Sequence, residues 1–242
     1  MVALAVLALI TVLVTVLVLR GTGGLLPGKH ATEDTNSSTP SVSAWDETSK
    51  PPLTMPPRTD FGGDLVICPI ASGAHSTHQV SGKLTADTLQ VSKVPGWDDY
   101  PTQLQIAYDI HAQVNDVYPG WMANTFVGLL SNADGFTDLA TSAEITLQCF
   151  VSQTFIPYIT VTGRVNLIAG EQISVSGHAA WHTKSEVLCR GAKVKGDVVD
   201  VVIVDLGAGK DHLGLFLSTY PIDDSPRQAM VEAAIESLTV IG

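Results

Sequence analysis

An α+β domain, with an antiparallel sheet packed against an interior helix and a C-terminal helix and one transmembrane helix ahead of it, is the fold class predicted by the sequence. Three observations predict it. Residues 2–19 are an unbroken uncharged run, segments of alternating or β-branched residues recur from Asp64 onward, and two stretches instead carry apolar residues at helical spacing.

The apolar run VALAVLALITVLVTVLVL has only Thr11 and Thr15 as polar members. As a helix rising ~1.5 Å per residue it spans roughly 27 Å, close to the thickness of a bilayer's hydrocarbon core. A cleaved signal peptide would need a basic leader and a small-x-small cleavage site, and neither accompanies Arg20. A buried core helix is disfavoured because the run is apolar on every face. Residues 1–20 are therefore expected to be a membrane anchor, and the chain a single-pass protein of the cell membrane.

Residues 21–62 hold many Gly, Pro, Ser and Thr and few large apolar side chains, so they lack the surface to form a core and read as a linker. The Pro51-Pro52 and Pro56-Pro57 steps favour extended geometry. On orientation the charges disagree with the rest. Arg20 and Lys29 follow the run and by themselves favour a cytoplasmic domain. The sequence opens inside the apolar run, as though basic residues preceded it, the linker is Ser/Thr/Pro-rich, and the domain carries cysteines able to pair. These three features make an extracytoplasmic domain the expectation.

Residues 63–242 are enough for one domain with a core. They hold nine Lys plus Arg against nineteen Asp plus Glu, so nearly all of the chain's net charge of −11 lies here. That balance excludes nucleic acid as a partner and argues against docking on anionic headgroups.

Taken in order, strands are expected at 64–69, at 79–94 as a hairpin, and at 105–117, 121–130, 158–168, 172–187, 197–206 and 213–219. The run Val201-Val202-Ile203-Val204 reads as a strand covered on both faces. The interior helix follows Gly135, with Thr137 as its cap and Leu139, Ala143, Leu147 and Phe150 on one face. The terminal helix opens at Ser225-Pro226-Arg227-Gln228, a capping box with Pro in the first turn, and sets Met230, Ala233, Ala234 and Leu238 together.

No catalytic constellation emerges. Cys68, His75 and His78 have metal-ligand types at C-x6-H-x2-H spacing, but Ser, Gly and Thr around the histidines read as a solvated loop. His178 and His182 share one face of a strand and read as an exposed histidine pair. Gly207-Ala208-Gly209-Lys210 lacks the first Gly and the Ser or Thr that a phosphate loop requires, and reads as a strand-to-strand turn. Asp98-Asp99 and Asp223-Asp224 sit beside turn residues. No catalytic residue, cofactor site or metal site is expected, and the chain is not read as an enzyme. A groove between sheet and helix lined by Trp97, Trp121 or Tyr158 is the second reading, for a lipid or glycolipid. Cys68, Cys149 and Cys189 allow three single pairings.

The order of elements, with Gly82-Lys83-Leu84, Val94-Pro95-Gly96-Trp97, Trp121, Val127-Gly128-Leu129, Leu147-Gln148-Cys149 and Gly177-His178-Ala179-Ala180-Trp181, resembles actinobacterial cell-envelope proteins of the PsbP-like fold, LpqN-type lipoproteins among them. The resemblance spans most of residues 64–242. It implies a disulfide between Cys68 and Cys149, since Cys68-Pro69 and Gln148-Cys149 match recurrent positions and Cys189 does not. Such a bond would close a loop of about 80 residues and stabilise by ~4 kcal/mol. The resemblance also implies a non-enzymatic accessory or adaptor module whose partner is a membrane protein complex or envelope protein. For the lipoprotein members it implies an association with envelope lipid export. No cysteine precedes Cys68, so this chain departs from them in lacking a lipidated cysteine.

Overall fold

A computed structural model describes residues 68–73, 80–155 and 159–242. The predicted anchor, the linker, the 64–67 part of the first expected strand, His75, His78 and Tyr158 lie outside the described residues. Among those described, no helix is long and apolar enough to cross a membrane.

Ten strands and two helices follow in the order β1 Lys83–Ala86, β2 Leu89–Ser92, β3 Asp98–Tyr100, β4 Tyr108–Tyr118, β5 Trp121–Ser131, α1 Leu139–Thr154, β6 Thr160–Val175, β7 His178–Arg190, β8 Gly196–Asp205, β9 His212–Pro221, α2 Ser225–Glu236 and β10 Thr239–Val240. Seven strands form one antiparallel sheet in the order β3-β4-β5-β9-β8-β7-β6, and β1-β2-β10 form a smaller antiparallel one. Helix α1 packs on β7 and β8 across one face of the large sheet, whereas β1, β2 and α2 cover the other.

Two cores result. Odd residues of β8, Val199, Val201 and Ile203, join Phe150, Leu147 and Ala143 of α1, while even ones, Val198, Val202 and Val204, join Leu89, Phe216 and Val231 on the opposite side. Every residue of β8 but Asp205 is buried, as expected for a strand covered on both faces.

The sequence reading misplaced several boundaries. The strand break expected near Gly170 is absent. There β6 continues through register irregularities, and Gly170, at a φ of 145°, lets the backbone pass over the Trp181 indole. The turn falls instead at Ser176-Gly177, whose φ values of 52° and 85° fit a two-residue hairpin between Val175 and His178. Asp138, not Thr137, caps α1, its carboxylate accepting from Thr141 N. Asp224, not Ser225, caps α2 by accepting from Arg227 N. The buried residues of α2 are Val231 and Ala234, with Leu238 buried just past its end and Met230 exposed, so the buried face lies one position round from the expected one. Cys68 and Pro69 belong to no strand. The short strands β3 and β10 lie in segments read as turn and helix.

The implied disulfide is present. Cys68 and Cys149 are bonded, with Cα atoms 5.7 Å apart, and the bond ties the entering segment to α1. Cys189 is a free thiol, and burial, with Asp197 nearby, pushes it up to about 11.

Candidate functional site

One end of the large sheet is shaped by two tight turns. Pro119-Gly120, with Gly120 at a φ of 87°, joins β4 to β5 and brings Tyr118 opposite Trp121. Residues 191–195 join β7 to β8, and Gly196 then begins β8 at a φ of 142°. A Cβ at position 196 would lie 1.9 Å from the Val187 carbonyl oxygen, so only glycine lets β8 enter here and bring Asp197 into the sheet.

Between these turns and the C-terminal end of α1 lies a cleft of about 300 Å³. That is the lower bound of typical ligand pockets, ~300–1,000 Å³. Its walls are aromatic. Tyr118 stacks on Trp121 with ring centres 6.0 Å apart, Phe155 meets Trp121 edge-on at 6.0 Å, and Phe150 meets Phe155 edge-on at 5.9 Å. Rings set near right angles leave a corner with apolar faces on several sides.

The floor is polar. Asp197 is 2% exposed, and among the described residues its one side-chain hydrogen bond comes from Trp121 Nε1 at 2.9 Å. Burial pushes the carboxyl up to about 7, against the smaller opposing effect of the indole N–H. Asn124 and Thr219, cross-strand neighbours on β5 and β9, also line the cleft, and Asn124 Oδ1 is buried without a hydrogen-bond partner among the described residues. The lining contains no Lys, Arg or His among the described residues.

The residues singled out from sequence are dispersed. Trp121 stands in the cleft, but Trp97 is buried in the other core, where its carbonyl accepts from Gln113 Nε2 at 2.9 Å. His178 and His182 do not act together. His178 Nδ1 meets the Asp205 carbonyl at 2.9 Å, whereas His182 is buried against Asp200, Nε2 to Oδ1 at 2.9 Å, with Glu171 3.7 Å from Nδ1. The exposed pair read from the sequence is therefore half wrong, because α2 and the small sheet cover that face. Gly207–Lys210 forms the β8–β9 turn, and Lys210 bonds Asp87 at 2.6 Å. Asp99 pairs with Lys93, and Asp223 with Lys195.

Sequence reasoning missed Asp197, Asn124, Thr219, Phe150 and Phe155 as site residues. Asp197 had a usable signal, an acid directly before the Val/Ile-rich stretch 198–204, where a strand buried on both faces leaves a carboxyl no route to water. The aromatic corner had none, since its members are contributed by a hairpin and a helix end.

No family model matches the chain, and no curated protein matches it. Among solved structures the chain is similar to LpqN, involved in cell envelope biogenesis of Mycobacterium tuberculosis, at 13% identity over 64% of this chain and 83% of that one, with a TM-score of 0.41. It is similar to the Ran-binding protein Mog1p of Saccharomyces cerevisiae at 12% identity over 63% and 90% of the two chains, with a TM-score of 0.41. It is also similar to cyanobacterial PsbP (CyanoP) from Synechocystis sp. PCC 6803, at 11% identity over 70% and 99%, with a TM-score of 0.42. Likenesses at this level assign no activity, ligand or partner.

Proposed function

We propose that this chain is a non-enzymatic accessory module of a membrane-bound assembly, held at the membrane by its N-terminal segment, and that it works by binding a small amphipathic ligand in the Trp121–Asp197 cleft. The observation that carries the reading is Asp197 itself. A carboxyl 2% exposed, with one hydrogen bond, costs stability wherever it is ionised, and it lies at the floor of an aromatic cleft rather than in a closed core. Polar groups left under-satisfied beneath apolar walls are what a ligand-binding site requires. The anchor and linker read from the sequence support the membrane setting, and the acidic balance argues against nucleic acid.

A protein partner is favoured by a second observation. Strand β6 is one edge of the large sheet, and Val165 and Leu167 on it are 45% and 49% exposed. Among the described residues no strand pairs with its outer side, and an edge carrying apolar side chains is suited to pairing with a strand of another chain.

The two are separated by purifying the full chain in mild detergent and analysing both extractable small molecules and co-purifying proteins. The cleft reading expects a bound small molecule that is lost on Trp121→Ala. A protein partner lost on Leu167→Lys, with no small molecule dependent on Trp121, would replace it by the edge-strand reading.

A further inference from the structure

Resting on the reading of the cleft as a binding site, the groups that line it specify the charge of what it holds. Asp197 supplies a nearly buried carboxyl with a single hydrogen bond among the described residues. The C-terminal end of α1, at Thr154 and Phe155, also borders the cleft, and its last turn holds no basic residue. The negative end of a helix dipole therefore adds to the field of the carboxylate. Asn124 Oδ1 is a buried acceptor without a partner among the described residues, and Thr219 beside it has a hydroxyl able to accept. The rings of Tyr118, Trp121 and Phe155 present π faces, which attract cations. No basic side chain lines the cleft among the described residues.

We propose that the cleft recognises an organic ammonium group, with the Asp197 carboxylate as counter-ion, Asn124 Oδ1 and Thr219 as further acceptors, and the aromatic rings as walls. An ammonium carries up to three donors, which these three side chains match. A phosphate or carboxylate ligand would meet the carboxyl of Asp197 and the negative helix end, and is excluded by both. A neutral alcohol would satisfy Asn124 and leave the carboxylate uncompensated. Because burial holds the Asp197 carboxyl near neutrality, at about 7, a bound cation restores its ionised form at physiological pH. The protein already sets an ammonium on one of these rings, since Lys193 Nζ stands 5.3 Å from the centre of Tyr118 and Lys193 N donates to the Tyr118 hydroxyl.

The test is calorimetric titration of the full chain in phosphatidylglycerol nanodiscs, which offer no ammonium headgroup, at pH 8. The probes are butylammonium, tetramethylammonium and 1-pentanol, a neutral molecule of matched length. Butylammonium is expected to bind at least tenfold more tightly than pentanol, and Asp197→Asn to remove that difference. Equal binding of butylammonium and pentanol, both lost on Trp121→Ala, would overturn the ammonium assignment and leave the cleft a binding site. Absence of binding by every probe, on a chain that also purifies without any Trp121-dependent small molecule, would overturn both. Should Asp197→Asn fail to fold, the comparison of cation with alcohol on the wild-type chain decides. Ethanolamine against short-chain phosphatidylethanolamine then identifies a free amine or a lipid headgroup as the source. A lysine peptide bound more tightly than either would overturn the small-ligand assignment in favour of a protein side chain.

Discussion

Trp121 and Asp197, 76 positions apart in the chain, are joined by one hydrogen bond of 2.9 Å from the indole N–H to the carboxylate. The bond crosses from the first residue of β5 to the second of β8 and opposes only part of the cost of burial, since the carboxyl still lies at about 7 against an ordinary 3.8. Between pH 4 and 7 the folded chain therefore holds a proton that the unfolded chain has released, and stability falls as pH rises across that window. Above pH 7 the loss is complete, and a shift of about three pH units corresponds to ~4 kcal/mol at most. Asn at this position keeps an oxygen to accept from Trp121 and never ionises. Asp197→Asn is expected to unfold at a higher urea concentration than wild type at pH 8 and at an equal one near pH 4. Equal midpoints at pH 8 would show that the carboxyl is hydrated in the folded chain.

Gly196 sets where that carboxyl stands. Its φ of 142° is a conformation L side chains rarely adopt, and an added Cβ would collide with the Val187 carbonyl, a backbone atom of a paired strand that has no freedom to withdraw. Gly196→Ala is expected to separate the start of β8 from β7 and to cost more than ~3 kcal/mol, at the upper end of single-site effects. Gly207→Ala is the comparison, because only the His178 ring lies near a Cβ there, 3.4 Å away. Its loss should be near ~1 kcal/mol, from backbone strain alone. Urea denaturation of the two variants side by side measures the difference.

Most of the elements were legible because periodicity is a local property. The run 201–204 announced a strand covered on both faces, and Pro226 near Asp224 announced a helix start. Errors arose where one residue type serves two geometries. Gly170 reads as a turn and is a bulge inside β6, while Ser176-Gly177 reads as part of a strand and is the turn. His182 reads as solvent-facing because alternation alone does not reveal what packs on each side, and the covering elements β1, β2 and α2 are distant in sequence. The cleft was the least legible part. Trp121 could be named as an aromatic, but its partnership with Phe155 and Asp197 depends on which strand ends meet.

The cysteines allow a direct chemical reading. Cys68 and Cys149 are bonded, and Cys189 is half-buried with its thiol pushed up to about 11 by burial, with the charge of Asp197 adding to it. Alkylation requires the thiolate, so in the folded chain at pH 8 Cys189 is expected to react with iodoacetamide about a hundredfold more slowly than an ordinary thiol of pKa ~8.5. In denaturant without reductant one thiol should be counted, and three after reduction. Three thiols before reduction would show that the protein is made and kept in a reducing compartment. Removal of the bond by Cys149→Ala is expected to cost ~4 kcal/mol for a closure of this length, beyond the loss of packing at the site.

Arg164 and Glu144 join β6 to α1 by a two-pronged contact, Nη1 to Oε1 at 2.6 Å and Nη2 to Oε2 at 2.9 Å. Their exposures are unequal, 2% for the Arg164 side chain and 25% for Glu144. That inequality fixes the order of two substitutions. Glu144→Ala takes the two-pronged acceptor from a guanidinium in a place closed to water and leaves Ser185 Oγ, at 3.0 Å, among its acceptors. Removing one member of a buried pair costs ~3–5 kcal/mol. Arg164→Met instead fills the buried volume with an apolar chain and leaves a carboxylate that reaches solvent and still accepts from Gln148 Nε2 at 2.9 Å. The expected loss is ~1 kcal/mol or less, within the range in which a well-packed apolar replacement offsets the lost charge pair. Denaturant midpoints at 0.15 M salt should therefore fall much further for Glu144→Ala than for Arg164→Met. A reversed order would mean that other groups or water hold the Arg164 guanidinium once Glu144 is gone.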